Sequence, residues 1–442
     1  MSAPAAGLAR ILAVPPPGPG ASGEPRWLAE RRSRARAALE RAELPTEAEE
    51  DWRYSRIGEL DQQGFLEQTG VVPIGSPAEL DQVVDALRAA SGVAGVVRTL
   101  DGRIVGVELG AQAAGLGVEV VGAASLEEAP DQLGELVAPR ADAFTLLADA
   151  AGADVVAVFL PAGLQLGAPL VVLHELSDGG VAFPRTLVLA GEHSAASIVE
   201  VVASGPGRRL VVPVVELSVG AGAELAYSSI QQLGAETWQI GYRASRLGAG
   251  ASLRSFSAAL GGDYARQLDQ CVLAGERSRS ELLAVYLGRG HQVQDLRTFQ
   301  EHASARTRSE LVFKGAVADE ARAVYTGLIR MRRGAVKADA AQTNRNLVLS
   351  KGAHADSVPN LEIEENDVRC SHASAVGPID PDQLFYLGSR GVPPEAAERL
   401  IVLGFFDDLF SRAAEAGVGA YLRGAVAARV TGAAPLPAPS AA

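Results

Sequence analysis

Residues 214–248 read VVELSVGAGAELAYSSIQQLGAETWQIGYRASRLG, a stretch in which short apolar segments alternate with glycines. Glycines recur at positions 220, 234, 248, 262, 275 and 288, which is a spacing of thirteen or fourteen residues. Two such intervals, about 27 residues, suit one coil of a parallel β-helix, in which stacked coils share a continuous core. A large β-sandwich, with a turn about every 8–12 residues, also fits this pattern. The periodicity alone therefore leaves both folds open.

The same pattern extends on both sides of this stretch. Short apolar alternations occur at residues 155–160, 170–173, 187–190, 198–202, 210–219 and 225–230. Helical periodicity appears instead at the two ends, at residues 27–44, 76–90, 125–137, 142–151, 380–389, 394–410 and 420–430. A hairpin that turns at Asp101-Gly102 lies among the first group of helices. The cluster around Trp52 is interpreted as a packing anchor, because exposed aromatic residues are uncommon without a partner.

We therefore divide the chain into five parts. They are a disordered leader at residues 1–23, an α+β N-terminal domain at 24–152, a β-rich core at 153–376, a helical C-terminal domain at 377–432 and a disordered tail at 433–442. The leader and the tail are rich in alanine and proline and show almost no periodicity.

Composition excludes several classes of function. The formal net charge of −13 argues against binding to nucleic acid, which requires a basic surface. Two cysteines in 442 residues do not form a disulfide framework. The chain has neither a secretory signal nor an apolar run long enough to cross a membrane, so we predict a cytoplasmic protein without membrane association. None of the three lysines follows a glycine, so the chain lacks a P-loop and should not hydrolyse ATP.

One of the two cysteines lies two residues from a histidine, in Cys370-Ser371-His372. Residues i and i+2 of an extended segment project from the same face, so Cys370 and His372 should point the same way. A thiolate and an imidazole together suit zinc, iron or copper, but two ligands do not complete a site. If the pair has a chemical role, another chain must supply the remaining ligands. The alternative is structural, with one side chain packed in a terminal coil and the other in solvent.

Three blocks of the C-terminal half resemble a known family. Residues 338–350 (ADAAQTNRNLVLS), 361–372 (LEIEENDVRCSH) and 382–391 (DQLFYLGSRG) are similar to the SufB/SufD family, the scaffold subunits of the SUF iron–sulfur cluster assembly machinery. The CSH block resembles the SufD branch. Ala353 stands where SufB-type chains carry a cysteine, and this difference also favours SufD.

The resemblance implies a fold, a role and partners. The fold is mainly β, a right-handed parallel β-helix flanked by the N-terminal α+β domain and the C-terminal helices. The role is that of a non-catalytic scaffold, which pairs with a SufB-like subunit and docks a SufC-like ABC ATPase. A transient iron–sulfur cluster would form at the interface of the two scaffold subunits, with His372 and Cys370 as candidate ligands from this chain. The chain itself would bind no nucleotide and could form a homodimer in isolation.

The family's ATPase-docking region matches the segment that follows the strands. The matching positions are Asp382, Gln383, Leu384, Phe385, Tyr386, Ser389, Arg390 and Gly391. A simpler interpretation is a helical cap over the open end of the β-helix, which would bury Leu384 and Phe385.

Two other functions remain open from the residues alone. The acidic group Glu362, Glu364, Glu365 and Asp367 could supply the acid and base of a β-helix enzyme that processes polysaccharides. The missing export signal and the scarcity of aromatic residues, at 5%, count against that enzyme. The chain could also be a purely structural subunit that holds a SufB-like partner.

Overall fold

In the computed structural model, residues 24–60, 78–177 and 179–431 are described, so the predicted leader and tail lie outside the described residues. The strands are β1 Gly95–Leu100, β2 Arg103–Leu109, β3 Glu119–Val121, β4 Val156–Leu160, β5 Leu170–Leu176, β6 Gly180–Ala182, β7 Arg185–Ala190, β8 Ala195–Ser204, β9 Arg209–Val211, β10 Val214–Val219, β11 Glu224–Gln232, β12 Thr237–Leu247, β13 Ser252–Ala259, β14 Tyr264–Leu273, β15 Arg279–Gly288, β16 Val293–His302, β17 Arg308–Val317, β18 Arg322–Met331, β19 Asp339–Val348, β20 His354–Ile363 and β21 Arg369–Gly377. The helices are α1 Arg26–Leu39, α2 Ala78–Ala90, α3 Ala111–Gly115, α4 Ala143–Ala151, α5 Pro381–Ser389, α6 Pro394–Arg412 and α7 Ala416–Thr431.

The strands form two sheets that face each other. The first sheet has the order β2-β1-β5-β8-β11-β13-β15-β17-β19-β21, and the second has the order β20-β18-β16-β14-β12-β10-β7-β4-β3 along its main path. From β10 onward successive strands alternate between the sheets, and each pairs in parallel with the strand two further along the chain. This is a parallel β-helix, so the predicted fold class is confirmed. The sandwich is excluded, because its sheets are antiparallel.

The repeat length can be read from the strand register. Ser252, Arg279, Arg308, Asp339 and Arg369 stand one above the other in the first sheet, at successive spacings of 27, 29, 31 and 30 residues. The glycine spacing predicted a coil of about 27 residues, which matches the earlier coils. The later coils are longer by a few residues.

The periodic glycines lie at the corners of the coils. The N–H of Gly248 donates to the carbonyl of Val219 in the coil below, and the N–H of Gly275 donates to Leu247 in the same way. A Cβ atom at Gly275 would lie 2.0 Å from the backbone nitrogen of Ala249. Successive corners therefore stack backbone on backbone, and only glycine leaves room for that contact.

Apolar residues fill three layers. The lumen between the sheets holds one buried cluster that includes Val158, Leu217 and Leu253, and another that includes Phe313 and Tyr325. The N-terminal segment covers the outer face of the second sheet. Helices α2, α6 and α7 cover the outer face of the first sheet. Most strands are thus buried on both faces, which explains their nearly continuous apolar sequence.

The N-terminal segment differs from the sequence predictions in its helices. Helix α1 ends at Leu39 rather than at residue 44, because Leu44 turns inward to join the buried cluster that contains Trp52. Residues 125–137 form turns rather than a helix. The hairpin is confirmed as β1 and β2, but β1 also pairs in parallel with β5 and so extends the first sheet. The domain boundaries themselves stay predictions.

Trp52 is a packing anchor, as predicted. Its side chain is 3% exposed, and its ring centroid lies 5.6 Å from that of Phe144. The guanidinium of Arg266 also lies over the Trp52 ring, with Cζ 4.0 Å from the ring centroid.

The three C-terminal helices are confirmed, but their position is not the one that the capping interpretation requires. Helices α6 and α7 lie along the flank of the first sheet, where Phe406, Leu409 and Leu422 are buried against its outer face. They do not cover β20 and β21 at the end of the β-helix. Among the described helices, none combines the length and apolarity that a membrane span needs.

Candidate functional site

The β-helix ends in two open strands. Strand β21 pairs only with β19 and strand β20 only with β18 among the residues that the structure describes. Most side chains of β21 are exposed, in contrast to the buried strands of the coils below. An edge of this kind presents unpaired backbone N–H and C=O groups, which can pair with a strand of another chain.

Cys370 and His372 lie on the same side of β21, as the spacing predicted. Cys370 is the register partner of Ala340 and His372 is that of Gln342, and both partners are buried in the lumen. Aligned residues of a parallel pair project to the same face. Both side chains therefore face the mouth of the lumen, while Ser371 between them faces outward.

The thiol of Cys370 is half-buried in an apolar cluster. Its neighbours there include Ile329, Met331 and Ala340. Burial, with a smaller contribution from the carboxylate of Asp339, raises the pKa of this thiol to about 11. The thiol is therefore protonated at neutral pH, and a metal that binds it must displace the proton.

His372 is exposed and has no hydrogen-bond partner within the described ranges. One coil below, Gln342 is 2% exposed, and both atoms of its side-chain amide are buried without a partner in the same ranges. The amide reaches across the lumen, since a Cβ atom at Gly327 on the opposite sheet would lie 2.3 Å from Gln342 Nε2. The hydroxyl of Ser357 on β20 is also buried and unpartnered in the described chain. The mouth of the lumen is therefore lined by polar groups whose bonding capacity is unused.

This donor set suits iron but does not complete a site. A thiolate and an imidazole are both known ligands of iron in clusters, which need more ligands than two. Within the described residues, no group of three or more His, Cys, Asp or Glu side chains is placed to hold a metal ion. The remaining ligands must come from outside this arrangement.

The predicted docking residues lie on and after α5. Asp380 caps this helix by accepting a hydrogen bond from the N–H of Asp382 at 2.9 Å, and Gly391 follows the end with a φ of +83°. Leu384 packs against the core, but Phe385 is 78% exposed and Tyr386 is 57% exposed. The capping interpretation, which would bury both side chains, is therefore wrong about Phe385, and Leu384 is only partly buried.

The other predicted docking residues lie at the two ends of α5, and two of them make contacts at its C-terminal end. The hydroxyl of Ser389 donates to the carbonyl of Tyr386 at 2.8 Å, and the guanidinium of Arg390 lies 5.1 Å from the Tyr386 ring. Asp382 and Gln383 are exposed in the first turn.

Comparison with known proteins identifies the family. Residues 173–405 match the family model described as the SufBD core domain of SUF system FeS cluster assembly. The chain belongs to the SufBD family. It is 29% identical over 402 residues to the iron-sulfur cluster assembly protein SufD of Escherichia coli, which covers 89% of this chain and 91% of that protein.

Two further relatives agree with this assignment. SufD of Bacillus subtilis is 30% identical over 56% of this chain and 58% of its own length. A SufBD family protein of Mycobacterium bovis is 38% identical over 45% of this chain and 52% of its own length. The chain is most like SufD, as its CSH block and Ala353 predicted. The SufBD core region includes β20, β21 and α5, so both candidate surfaces lie within the matched residues.

The acidic group does not resemble a glycosidase pair in this SufBD protein. Arg330 holds Glu364 at 2.8 Å and lies 3.5 Å from Glu362. The pKa of Glu364 is lowered by its hydrogen bond to Arg330, and the pKa of Glu365 is lowered by the backbone N–H groups of Gly334, Asn366 and Asp367. A general acid needs a raised pKa, so these carboxylates are suited to ion pairing and turn formation.

Sequence reasoning missed Gln342. It lies within the resembling block at residues 338–350, but no local pattern distinguishes it from the other polar residues there. Its significance comes from its register with His372. The other cysteine, Cys271, is buried, and burial raises the pKa of its thiol to about 11.

Proposed function

We propose that this chain is the SufD-type, non-catalytic scaffold subunit of a cytoplasmic SUF iron–sulfur cluster assembly complex. The observation that carries the proposal is the open end of the β-helix, where β20 and β21 each have one free edge and β21 carries an exposed histidine that has no hydrogen-bond partner among the described residues. Family membership supports iron–sulfur assembly, and the similarity to SufD supports this branch.

The open end would receive a SufB-like subunit. Edge strands β20 and β21 would pair with strands of the partner, so that main-chain hydrogen bonds continue the two sheets across the interface. Ile363 and Val376 are exposed apolar side chains at this end, and the interface would bury them. The lumen mouth would then be closed from above.

A nascent cluster would form at this junction as cargo. His372 would supply an imidazole nitrogen and Cys370 a thiolate, and the SufB-like subunit would supply the other ligands. The raised pKa of Cys370 makes the thiol the weaker ligand until iron displaces its proton. We therefore assign the primary role to His372.

The second surface would dock a SufC-like ABC ATPase. Phe385 and Tyr386 form an exposed aromatic pair on α5, and such residues favour the centre of an interface. The chain has no P-loop of its own, so movement driven by ATP must come from the partner. Helices α6 and α7 pack on the first sheet and would transmit that movement to the scaffold.

The test is the His372→Ala variant expressed with all partner subunits. We expect assembly of the complex and its ATPase activity to persist, while iron and acid-labile sulfide on the complex are lost. His354→Ala is the matched control, since His354 is an exposed histidine on the neighbouring edge strand that pairs with Asp356 at 3.0 Å. Normal iron and sulfide in the His372→Ala complex would leave the chain with a purely structural role. Failure of the complex to assemble would mean that His372 serves the pairing of the subunits, and would reject its assignment as a cluster ligand alone.

A further inference from the structure

The two strands at the open end of the β-helix differ in their free edges. Among the described residues, β20 has only β18 as a neighbour and β21 has only β19. Successive N–H groups along a strand point to opposite edges, so every second residue of each strand presents its N–H at the free edge. The residues at those positions therefore determine whether a strand of another chain can be added.

The hydrogen bonds at the two ends of β20 show which of its residues face the free edge. The N–H of His354 donates to the carbonyl of Ala321 at 3.1 Å, and the N–H of Glu364 donates to the carbonyl of Met331 at 2.8 Å. The register between β20 and β18 has no shift between these points. The even-numbered residues of β20 therefore bond to β18, and the odd-numbered residues form the free edge. They are Ala355, Ser357, Pro359, Leu361 and Ile363.

Pro359 is the central residue of the free edge of β20. Proline has no N–H group, and its ring occupies the space in front of the backbone nitrogen. The pairing of β20 with β18 is not disturbed, because the nitrogen of Pro359 points away from β18. A strand added to the free edge, in contrast, would meet the ring and would have a carbonyl without a donor. Prolines at such positions hinder the addition of further strands to a sheet.

The free edge of β21 has a donor at every position. The N–H of Arg369 donates to the carbonyl of Ala338 at 2.9 Å, and the register with β19 has no shift. The odd-numbered residues therefore bond to β19, and the even-numbered residues form the free edge. They are Cys370, His372, Ser374 and Val376, and each of them keeps its N–H group. Pro378 follows directly after the strand, so it limits the edge to these four positions.

We propose that Pro359 is a specificity-determining residue of the open end, because it directs strand addition to β21. The partner's strand pairs with β21 along its whole length, whereas pairing with β20 is interrupted at Pro359. For the identity of the partner, a SufB-like subunit, this inference rests on the proposed function. A second copy of this chain carries the same proline. The interruption therefore occurs twice in a homodimer and once with a partner whose own edge is uninterrupted, so Pro359 favours the unlike partner.

The first experiment measures self-association of the isolated full-length chain by sedimentation velocity over a concentration series. Pro359→Ala restores the missing donor and removes the ring. It should lower the dissociation constant of self-association by about tenfold, the effect of a regained hydrogen bond between the chains. Pro161→Ala is the matched control, since Pro161 directly follows β4, near the other end of the second sheet. This variant should associate as the unmodified chain does.

The second experiment makes the converse change in β21 and measures co-purification with the SufB-like subunit. Ser374→Pro removes a donor from the free edge and should abolish assembly with an unchanged circular dichroism spectrum. Ser374→Ala keeps the N–H group and should assemble normally.

The proposal is overturned if Pro359→Ala self-associates no more tightly than Pro161→Ala, or if Ser374→Pro assembles normally. Failure of the unmodified chain to bind the SufB-like subunit would reject the proposed function instead. The sedimentation experiment, which needs no partner, would then still decide the role of Pro359. It also decides that role if Ser374→Pro does not fold.

Discussion

His372 lies one coil above Gln342, because the two residues are register partners in the last strand pair of the first sheet. The exposed imidazole therefore stands over a buried amide whose two polar atoms have no partner among the described residues. Polar groups without a partner in the described chain thus lie at the mouth of the lumen, where both sheets stop. Substitutions of the residues at the open end should therefore have measurable effects.

The unpartnered amide predicts the effect of Gln342→Met on stability. Methionine has a similar shape and no strong hydrogen-bonding groups, so burial without a partner no longer costs free energy. We expect the free energy of unfolding to stay the same or rise by about 1 kcal/mol in urea titrations of the isolated chain. Asn344→Leu is the control, since Asn344 Nδ2 donates to Tyr286 Oη at 2.8 Å, and this variant should lose about 2 kcal/mol. A comparable loss in Gln342→Met would mean that the amide is hydrogen-bonded.

The raised pKa of Cys370 predicts its reactivity with iodoacetamide. Only the thiolate reacts, so the rate should be slow at pH 7 and rise about tenfold per pH unit toward pH 11. Peptide mass spectrometry measures the alkylation of both cysteines in one experiment. The buried Cys271 should stay unmodified while the chain is folded. Rapid alkylation of Cys370 at pH 7 would contradict the apolar surroundings described above.

The same pKa predicts how stability depends on pH. The folded thiol titrates near 11 and the unfolded thiol near its ordinary value of 9.0, so the folded state holds the proton more tightly. The stabilising contribution is therefore fully present below pH 9 and is lost as the pH rises from 9 to 11. Comparison of urea midpoints for the unmodified chain and Cys370→Ser isolates this contribution. Parallel pH profiles for the two proteins would refute it.

The exposed aromatic pair predicts how the double variant Phe385→Ser, Tyr386→Ser affects stability and ATPase binding. Both side chains are largely in solvent, so the free energy of unfolding should change by no more than about 1 kcal/mol for the pair. Binding of the SufC-like ATPase should be lost in co-purification. Leu400→Ser on α6 is the control, since Leu400 is an apolar side chain that is 50% exposed. This variant should bind the ATPase normally. Retention of the ATPase by the double variant would reject α5 as the docking surface. Deletion of all residues from Pro378 onward is a poor test, because it strips α6 and α7 from the first sheet.

The open edges predict that the isolated chain forms a homodimer through β20 and β21. A lysine in place of Val376, which is 45% exposed at this end, places charge in the contact and should give a monomer. Val105→Lys is the control, since Val105 is an exposed valine on β2 at the opposite end of the first sheet. Light scattering after size-exclusion chromatography measures the mass. A dimer that survives Val376→Lys would place the contact elsewhere.

Much of the fold could be predicted from the sequence, because corners and helix ends depend on residues that are close together in the chain. The glycine spacing marks corners where one backbone crosses another, and Gly275 cannot carry a side chain there. The limits of α5 also have local causes, since Asp380 caps the helix, Pro381 is its first residue and Gly391 follows its end with a positive φ. The helix predicted at residues 125–137 was wrong, because those residues form turns over the second sheet instead.

The sequence by itself determined that Cys370 and His372 share a face, since residues two apart in a strand always do. Only the tertiary structure decided what surrounds them. Gln342 lies below His372 and Arg246 shares a row with Arg330 because coils of 26 to 32 residues stack in one register. That register follows from packing across the whole lumen, so it brings together residues that are far apart in the chain and that no local pattern connects.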